Sequence, residues 1–172
     1  DPLTGLPNRR MLLDRLGQAT QQVQRSGHTG ALLFLDLDHF KVLNDTRGHE
    51  VGDQLLLQVA QRLKASVRSC DVVARLGGDE FVVLLGELSS DAAQAAWQVQ
   101  HVGEKILHAL AQPYTLDGQV HRSSCSVGAA PAGTSGPASA SVAGSSGSRG
   151  FCRLPSRAAD ASARVAGALG GW

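Results

Sequence analysis

Apolar residues recur every three or four positions in three stretches of the chain, residues 12–23, 55–67 and 92–110. This spacing places them on one face of a helix, so each stretch is predicted to form an amphipathic helix that packs on a core. Asn8 follows a proline and fits the N-cap position of the first helix, because its side-chain oxygen can accept from the free amide groups of a first turn.

Other apolar runs lack that spacing and predict strands. Residues 31–35 form a continuous apolar run that ends at Asp36, as expected for a strand buried on both faces. Residues 72–74 and 81–85 flank two glycines and predict a hairpin, and residues 119–127 can form a further strand. The order helix, strand, helix, hairpin, helix, strand predicts an α/β fold, an α+β layer in which helices pack on a mixed central sheet.

The composition changes abruptly near Gly128. Of the 23 residues from Gly128 to Gly150, 20 are Gly, Ala, Ser or Pro, a composition typical of linkers that cannot bury a core. A chain of 172 residues is long enough for one domain with a sizeable core. We therefore expect a folded domain over residues 1–128 and a low-complexity tail, rich in Gly, Ala, Ser and Arg, over residues 129–172.

Charge and cysteine content argue against several classes of protein. A formal net charge of +1 gives no general attraction to nucleic acid or to an anionic membrane, and no apolar stretch approaches the length of a membrane span. The three cysteines form no Cys-x-x-Cys pair, which favours a reducing, cytoplasmic setting and argues against a zinc site. The chain begins without a methionine, so we expect it to be part of a longer protein.

The predicted hairpin turn carries the strongest chemical signal, because Gly77 and Gly78 are followed at once by Asp79 and Glu80. Glycine lets the backbone approach a polyphosphate closely, and carboxylates are the oxygen ligands that a divalent cation prefers. Asp36, at the end of a buried strand, is predicted to reach the same edge and to bind Mg²⁺ together with Asp79. A single acid at a strand end is usually just solvated, but this combination favours a site for metal and phosphate.

Two further residues carry side chains suited to binding a polar ligand. The amide of Asn44 offers a donor and an acceptor, and the carboxylate of Asp53 can accept from N–H donors. Either residue would serve equally well as a helix cap. Lys41 and His49 are candidate neighbours of a phosphate or a ribose, with ordinary surface positions as the alternative.

Several motifs together resemble the GGDEF family, the diguanylate cyclases. The resemblance rests on segments that follow one another in the order found in that family, residues 1–10, 34–41, 44–45, 48–53 and 77–81. Spaced motifs in the right order are far more specific than one glycine-rich pattern. The likeness covers residues 1 to about 128 and implies the palm-like α/β fold of nucleotidyl cyclases.

The resemblance implies an enzyme that condenses two GTP molecules into cyclic di-GMP and pyrophosphate, with Mg²⁺ or Mn²⁺. It assigns the metal to Asp36, the backbone carbonyl of Leu37 and Asp79, with Glu80 supporting the metal or the nucleophile. One of the two acids of the turn would deprotonate the ribose 3′-hydroxyl; we favour Asp79, although the sequence does not separate the two roles. Since one domain holds one GTP, the reaction requires a homodimer in which two domains face each other.

The same resemblance assigns guanine selection to Asn44 and Asp53, and product feedback to Arg68 and Asp71. The latter two reproduce the Arg-x-x-Asp inhibitory motif of the family, with five residues between Asp71 and Gly77. Cyclic di-GMP bound there, apart from the catalytic site, would inhibit by allosteric coupling. The alternative is a simple Arg–Asp surface pair, which contributes little.

The resemblance stops after Gly128. Relatives continue with a helix, basic phosphate contacts and a closing strand, whereas this chain has no lysine after Lys105 and no tyrosine after Tyr114. A reading-frame shift in GC-rich coding DNA would produce such a change, and we expect the C-terminal elements of the fold to be lost or disordered. The alternative function is a catalytically weak or inactive regulatory module that binds GTP or cyclic di-GMP.

The resemblance also implies partners in a longer chain. Residues 101–114 are similar to versions of the domain that are fused to a downstream EAL phosphodiesterase domain. A sensory domain that supplies the input signal is expected upstream of Asp1.

Overall fold

A computed structural model describes residues 1–26 and 28–132 of the chain. The helices and strands, in chain order, are α1 (Arg9–Ser26), β1 (Thr29–Leu37), α2 (Phe40–Arg47), α3 (His49–Ser66), β2 (Val72–Gly77), β3 (Glu80–Leu88), α4 (Ala92–Leu110), β4 (Tyr114–Leu116), β5 (Gln119–His121) and β6 (Cys125–Ala132). The three predicted helices, the buried strand and the hairpin are confirmed. None of the helices in the described part of the chain has both the length and the apolar character needed to cross a membrane.

Four strands form the central sheet, in the order β2-β3-β1-β6. The predicted α/β class, with helices packed on a central sheet, is confirmed. The sheet itself differs from the mixed sheet expected, because each of these neighbouring pairs is antiparallel. The strands β1 and β2 run in the same direction, but β3 lies between them and is antiparallel to both. The sheet therefore contains no parallel pair among these strands.

Helices cover both faces of the sheet. On one face Leu32 and Phe34 of β1 pack in a cluster with Leu12 of α1. On the other face Leu33 and Leu35 pack in a larger cluster with the buried residues of α3 and α4. Alternate residues of a strand point to opposite faces, so β1 is buried almost along its whole length between the two layers.

The prediction of one strand over residues 119–127 is wrong. The segment forms β5, which pairs with β4, and the beginning of β6, which pairs with β1. Asp117 and Gly118 connect β4 to β5 with positive φ angles of 50° and 72°. An Asp-Gly pair is a strong sequence signal for such a tight hairpin, so this turn was predictable from the sequence.

The strand β6 continues beyond Gly128, where the composition changes. It ends at Ala132, which is 8% exposed and packs in the cluster under α1. The division of the chain into residues 1–128 and 129–172 stays a prediction, since residues 133–172 lie outside the described part.

Candidate active site

The acidic turn joins β2 to β3. Gly77 is paired with Glu80, which leaves Gly78 and Asp79 as the two residues of the turn. Gly78 has a φ of 52°, a value that glycine adopts without strain and that tight hairpin turns require at this position. The two glycines are exposed and the two acids are half-buried, so open backbone lies directly beside two carboxylates.

Asp36 lies directly opposite Glu80 in the register of β1 and β3. Opposed residues of an antiparallel pair project from the same face of the sheet, with Cβ atoms about 4.5–5.5 Å apart. The structure therefore brings Asp36 and the acids of the turn to one edge of the sheet. Which of them carries which role stays a prediction.

The number of carboxylates at this edge of the sheet determines how a divalent cation would be bound there. Among residues 1–26 and 28–132 no group of three or more His, Cys, Asp or Glu side chains is arranged to hold a metal ion. Mg²⁺ typically binds to one or two protein carboxylates and takes its other ligands from water and substrate phosphates. The opposed carboxylates of Asp36 and Glu80, with Asp79 next to them, fit that mode and do not form a complete cage.

The side chain of Arg75 binds the backbone of the glycine turn. Its Nε and Nη2 donate to the carbonyl oxygen of Gly78 at 3.0 and 2.8 Å, and its Nη1 forms an ion pair with the carboxylate of Asp1 at 3.2 Å. The amide of Arg75 also donates to the carbonyl of Pro7 at 3.0 Å. One side chain thus fixes the glycine turn to the first segment of the chain.

The carboxylate of Asp1 is itself held by the residues that follow it. It accepts from the amide of Thr4 at 2.8 Å and from the hydroxyl of Thr4 at 2.6 Å. Both partners of the ion pair with Arg75 are therefore fixed, and their side chains are only 10% and 17% exposed. Sequence reasoning assigned no role to Arg75, because its partner Asp1 lies 74 residues away.

The charges around Arg75 link the turn to α3. Burial lowers the pKa of the Arg75 guanidinium, and the carboxylates of Asp53 and Asp79 oppose that effect. Both acids are therefore close enough to Arg75 to interact with its charge. Asp53 on α3 and Asp79 of the acidic turn therefore interact with the same positive charge, that of Arg75.

Asn44, on α2, has a side-chain oxygen with an unusual environment. The Oδ1 atom is buried and has no hydrogen-bond partner among the described residues. Buried polar atoms almost always have a partner, so this atom is suited to accept a donor from a ligand. Gly52 of α3 faces it at such close range that a methyl group at position 52 would overlap Asn44 Oδ1.

The helix-cap alternative for the guanine candidates is wrong. Gly48 is the N-cap of α3 and His39 is the N-cap of α2, whereas Asn44 and Asp53 lie within the helices. The side chain of Asp53 is exposed, as are those of the phosphate or ribose candidates Lys41 and His49.

Arg68 and Asp71 lie in the loop before β2. The Asp71 carboxylate accepts from the amide of Arg68 at 2.9 Å and from the amide of Gly86 at 3.3 Å. The guanidinium of Arg68 is exposed, and no hydrogen bond or ion pair of this guanidinium is found within residues 1–26 and 28–132. The alternative of a surface ion pair between the two side chains is therefore wrong, and Asp71 fixes the loop through its backbone instead.

An acidic turn at the edge of an antiparallel sheet, with helices on both faces, is the architecture of a known class of signalling domain. The sequence model of the family described as "Diguanylate cyclase, GGDEF domain" matches residues 1–145. The chain belongs to this GGDEF family. GGDEF diguanylate cyclases generally use a divalent metal ion.

Relatives and solved structures agree with this assignment. The bifunctional diguanylate cyclase/cyclic di-GMP phosphodiesterase MucR of Pseudomonas aeruginosa is 48% identical over 131 residues, which is 76% of this chain and 18% of that protein. The GGDEF domain of TpbB from the same organism is 38% identical with a TM-score of 0.71, covering 76% of this chain and 74% of that one.

A third comparison includes a ligand. The coiled coil and GGDEF domain of DgcB from Caulobacter crescentus, solved in complex with c-di-GMP, is 30% identical with a TM-score of 0.67. The match covers 76% of this chain and 68% of that one. The chain spans between 14% and 29% of the length of the first curated relatives it matches.

Proposed function

We propose that this chain is a diguanylate cyclase domain that condenses two GTP molecules into cyclic di-GMP and pyrophosphate. The observation that carries the proposal is the register that sets Asp36 opposite Glu80, directly beside the glycine turn. Membership of the GGDEF family, and relatives named diguanylate cyclases, support it.

The acids of this edge have distinct proposed roles. Asp36, the backbone carbonyl of Leu37 and Asp79 would hold Mg²⁺, with Mn²⁺ as a substitute and Glu80 as an additional ligand. A bound Mg²⁺ supplies charge neutralisation at the triphosphate, which accounts for much of the acceleration in such transfers. The carboxylate of Asp79 takes the proton of the ribose 3′-hydroxyl, and Glu80 is the alternative base.

The proposed reaction uses these roles in two steps. The 3′-oxygen of one GTP forms a bond to the α-phosphorus of the other, while the bond from that phosphorus to the bridging oxygen of the β-phosphate breaks. Pyrophosphate leaves and the proton of the hydroxyl passes to the carboxylate. A second, symmetrical step closes the ring. Since one domain binds one GTP, two copies must face each other across a two-fold axis, so a homodimer is part of the mechanism.

Guanine selection is proposed for Asn44 and Asp53. The Oδ1 of Asn44, which has no partner among the described residues, supports this, because guanine offers N–H donors on the edge that such an acceptor would meet. Asp53, exposed and within the field of Arg75, would accept from the same edge. Lys41 and His49 are proposed neighbours of the phosphates or ribose.

A separate product site is proposed at Arg68 and Asp71. The exposed guanidinium of Arg68 could bind the phosphate or guanine of cyclic di-GMP, and the anchored carboxylate of Asp71 keeps lone pairs for a base edge. The structure of DgcB in complex with c-di-GMP supports a product site in the family. Arg68→Ala is expected to lose cyclic di-GMP binding in calorimetry; unchanged affinity would remove this proposal.

The proposed parent is a longer signalling protein. The small fraction of each curated relative that this chain spans supports a longer parent. An upstream sensory domain and a downstream EAL phosphodiesterase domain are proposed parts of it, and the relative named as a bifunctional diguanylate cyclase/cyclic di-GMP phosphodiesterase supports the latter.

A regulatory module without turnover is the second candidate function. It is favoured by the Gly-, Ala- and Ser-rich sequence after Gly128, in which no lysine and no tyrosine occur. Incubation of the 172-residue chain with GTP and Mg²⁺, followed by mass spectrometry, separates the two candidates. Cyclic di-GMP in the products supports the cyclase, whereas GTP binding without product supports the module.

A further inference from the structure

A cleft lies beside the loop that carries Arg68 and Asp71. Part of its lining comes from α4, whose residues have no role in the function proposed above. The residues that line this cleft include Arg68 and Asp71 of the loop, Gly86 of β3, and Trp97 and His101 of α4. Trp97 and His101 are four residues apart, which sets them next to each other on one face of the helix. The cleft therefore combines a cation, a carboxylate and an aromatic surface.

Trp97 is unusual among the large apolar residues of α4. Its side chain is 63% exposed, whereas Ile106 and Leu110 of the same helix are buried in the core. Its ring is nevertheless stacked on the ring of His101, with centroids 5.2 Å apart and planes inclined by 7°. The stack covers one face of the indole and leaves a large exposed apolar surface on a residue that lines the cleft.

The three kinds of group around the cleft match the parts of a guanine base. An exposed indole offers a stacking surface, an exposed guanidinium can donate to the O6 and N7 acceptors, and a carboxylate can accept from N1–H and the 2-amino group. The cleft has a volume of about 80 Å³, which admits the edge of a purine and leaves the rest of the ring to lie along Trp97. Adenine has no N1–H donor and lacks the 2-amino group, so the same set disfavours it.

We propose that Trp97 is the base-stacking residue of the Arg68–Asp71 site and that His101 positions its ring. This inference rests on the product site proposed above and adds a surface that neither Arg68 nor Asp71 supplies. Base–aromatic stacking makes a large contribution to nucleotide binding, so Trp97→Ala should weaken cyclic di-GMP binding about tenfold. Trp97→Phe should retain most of the affinity, and His101→Ala should cause a smaller loss.

Intrinsic fluorescence of the full chain tests the proposal. Trp172→Phe leaves Trp97 as the one tryptophan of the sequence, so a change in emission on adding cyclic di-GMP reports on this ring. Quenching by cyclic di-GMP, a much weaker response to cyclic di-AMP and loss of the response in Arg68→Ala support the proposal. Thermal unfolding of each variant shows whether it remains folded.

Calorimetry supplies the deciding comparison and its control. Val120→Ala removes another exposed apolar side chain, on β5, and should leave cyclic di-GMP affinity unchanged. Affinity of Trp97→Ala within twofold of the parent chain overturns the role of Trp97. Absence of any cyclic di-GMP binding overturns this inference and the product site together, while the cyclase proposal still stands or falls on product formation from GTP.

Discussion

Asp36 of β1 and Glu80 of β3 are directly opposed residues of an antiparallel pair. The next pair inward, Leu35 and Phe81, is 3% and 1% exposed, so the two acids project from the end of a fully packed ladder. Their spacing is consequently fixed by the core and not by a flexible loop. Such preorganised charges cost little reorganisation when a ligand binds.

The carboxylates of this edge are expected to be essential for turnover. Asp36→Asn and Glu80→Gln keep the shape of each side chain and remove its charge, so each should lower cyclic di-GMP formation at least about 100-fold. Initial rates with GTP and Mg²⁺, followed by chromatography, measure the loss. Asp14→Asn, an exposed acid on α1, is the matched control and should leave the rate unchanged. Near-normal rates in both site variants would disprove the assignment.

Arg75 is expected to contribute to stability and to the shape of the turn. Arg75→Ala removes the donors to Gly78 and the ion pair with Asp1, so it should lower the free energy of unfolding by about 1–3 kcal/mol. Asp1→Asn removes only the ion pair and should cost less. Denaturant unfolding measures both values, and equal losses would show that the contacts to Gly78 contribute nothing.

Gly52 is expected to be required for the position of Asn44. A methyl group from Gly52→Ala would overlap Asn44 Oδ1 and push the amide away, so GTP affinity and the preference for GTP over ATP should both fall. Gly103→Ala is the matched control, because this glycine of α4 has open space where its Cβ would lie. That variant should stay active and gain up to about 1 kcal/mol from better helix propensity. Equal nucleotide affinity in the two variants would contradict the role of Gly52.

Cys125 is expected to make stability fall at high pH. Burial, with a smaller effect from Asp38, raises the pKa of the Cys125 thiol from 9.0 to about 12. The thiol in the unfolded chain ionises first, so the stabilising contribution is complete below pH 9 and is lost as pH rises toward 12. The loss should be about 1.4 kcal/mol at pH 10.

The comparison with Cys125→Ala isolates this contribution. Burial also raises the pKa of Tyr114, which acts in the same direction, but that effect is common to both proteins. The free energy of unfolding of the parent chain should therefore fall more steeply between pH 8 and pH 10 than that of the variant. Parallel curves would show that Cys125 does not titrate as described.

The parts of the fold that the sequence predicted are those with long, continuous signals. The buried run before Asp36 and the apolar residues on both sides of Gly77 and Gly78 predicted β1, β2 and β3. The helix α2 was missed because only Phe40 and Leu43 are buried in it, too few to show a period. The helix begins after His39, which has a left-handed backbone conformation with a φ of 60°. No pattern in the sequence predicted that conformation.

The parts of the site that the sequence could not supply depend on tertiary contacts. Motif spacing predicted Asp36, Asp79 and Glu80 at one edge, and the register sets Asp36 opposite Glu80; their roles as ligands or base stay predictions. The spacing gave no signal for the contact between Arg75 and Asp1, or for the close approach of Gly52 to Asn44. A glycine inside a helix was the one available hint of the latter.

A crystal structure with Mg²⁺ and a non-hydrolysable GTP analogue tests the central claim most directly. We expect a cation on the carboxylates of Asp36 and Asp79, phosphates over the glycine turn and the guanine edge against Asn44 and Asp53. An analogue bound elsewhere, with no cation between β1 and the turn of the hairpin, would contradict the claim.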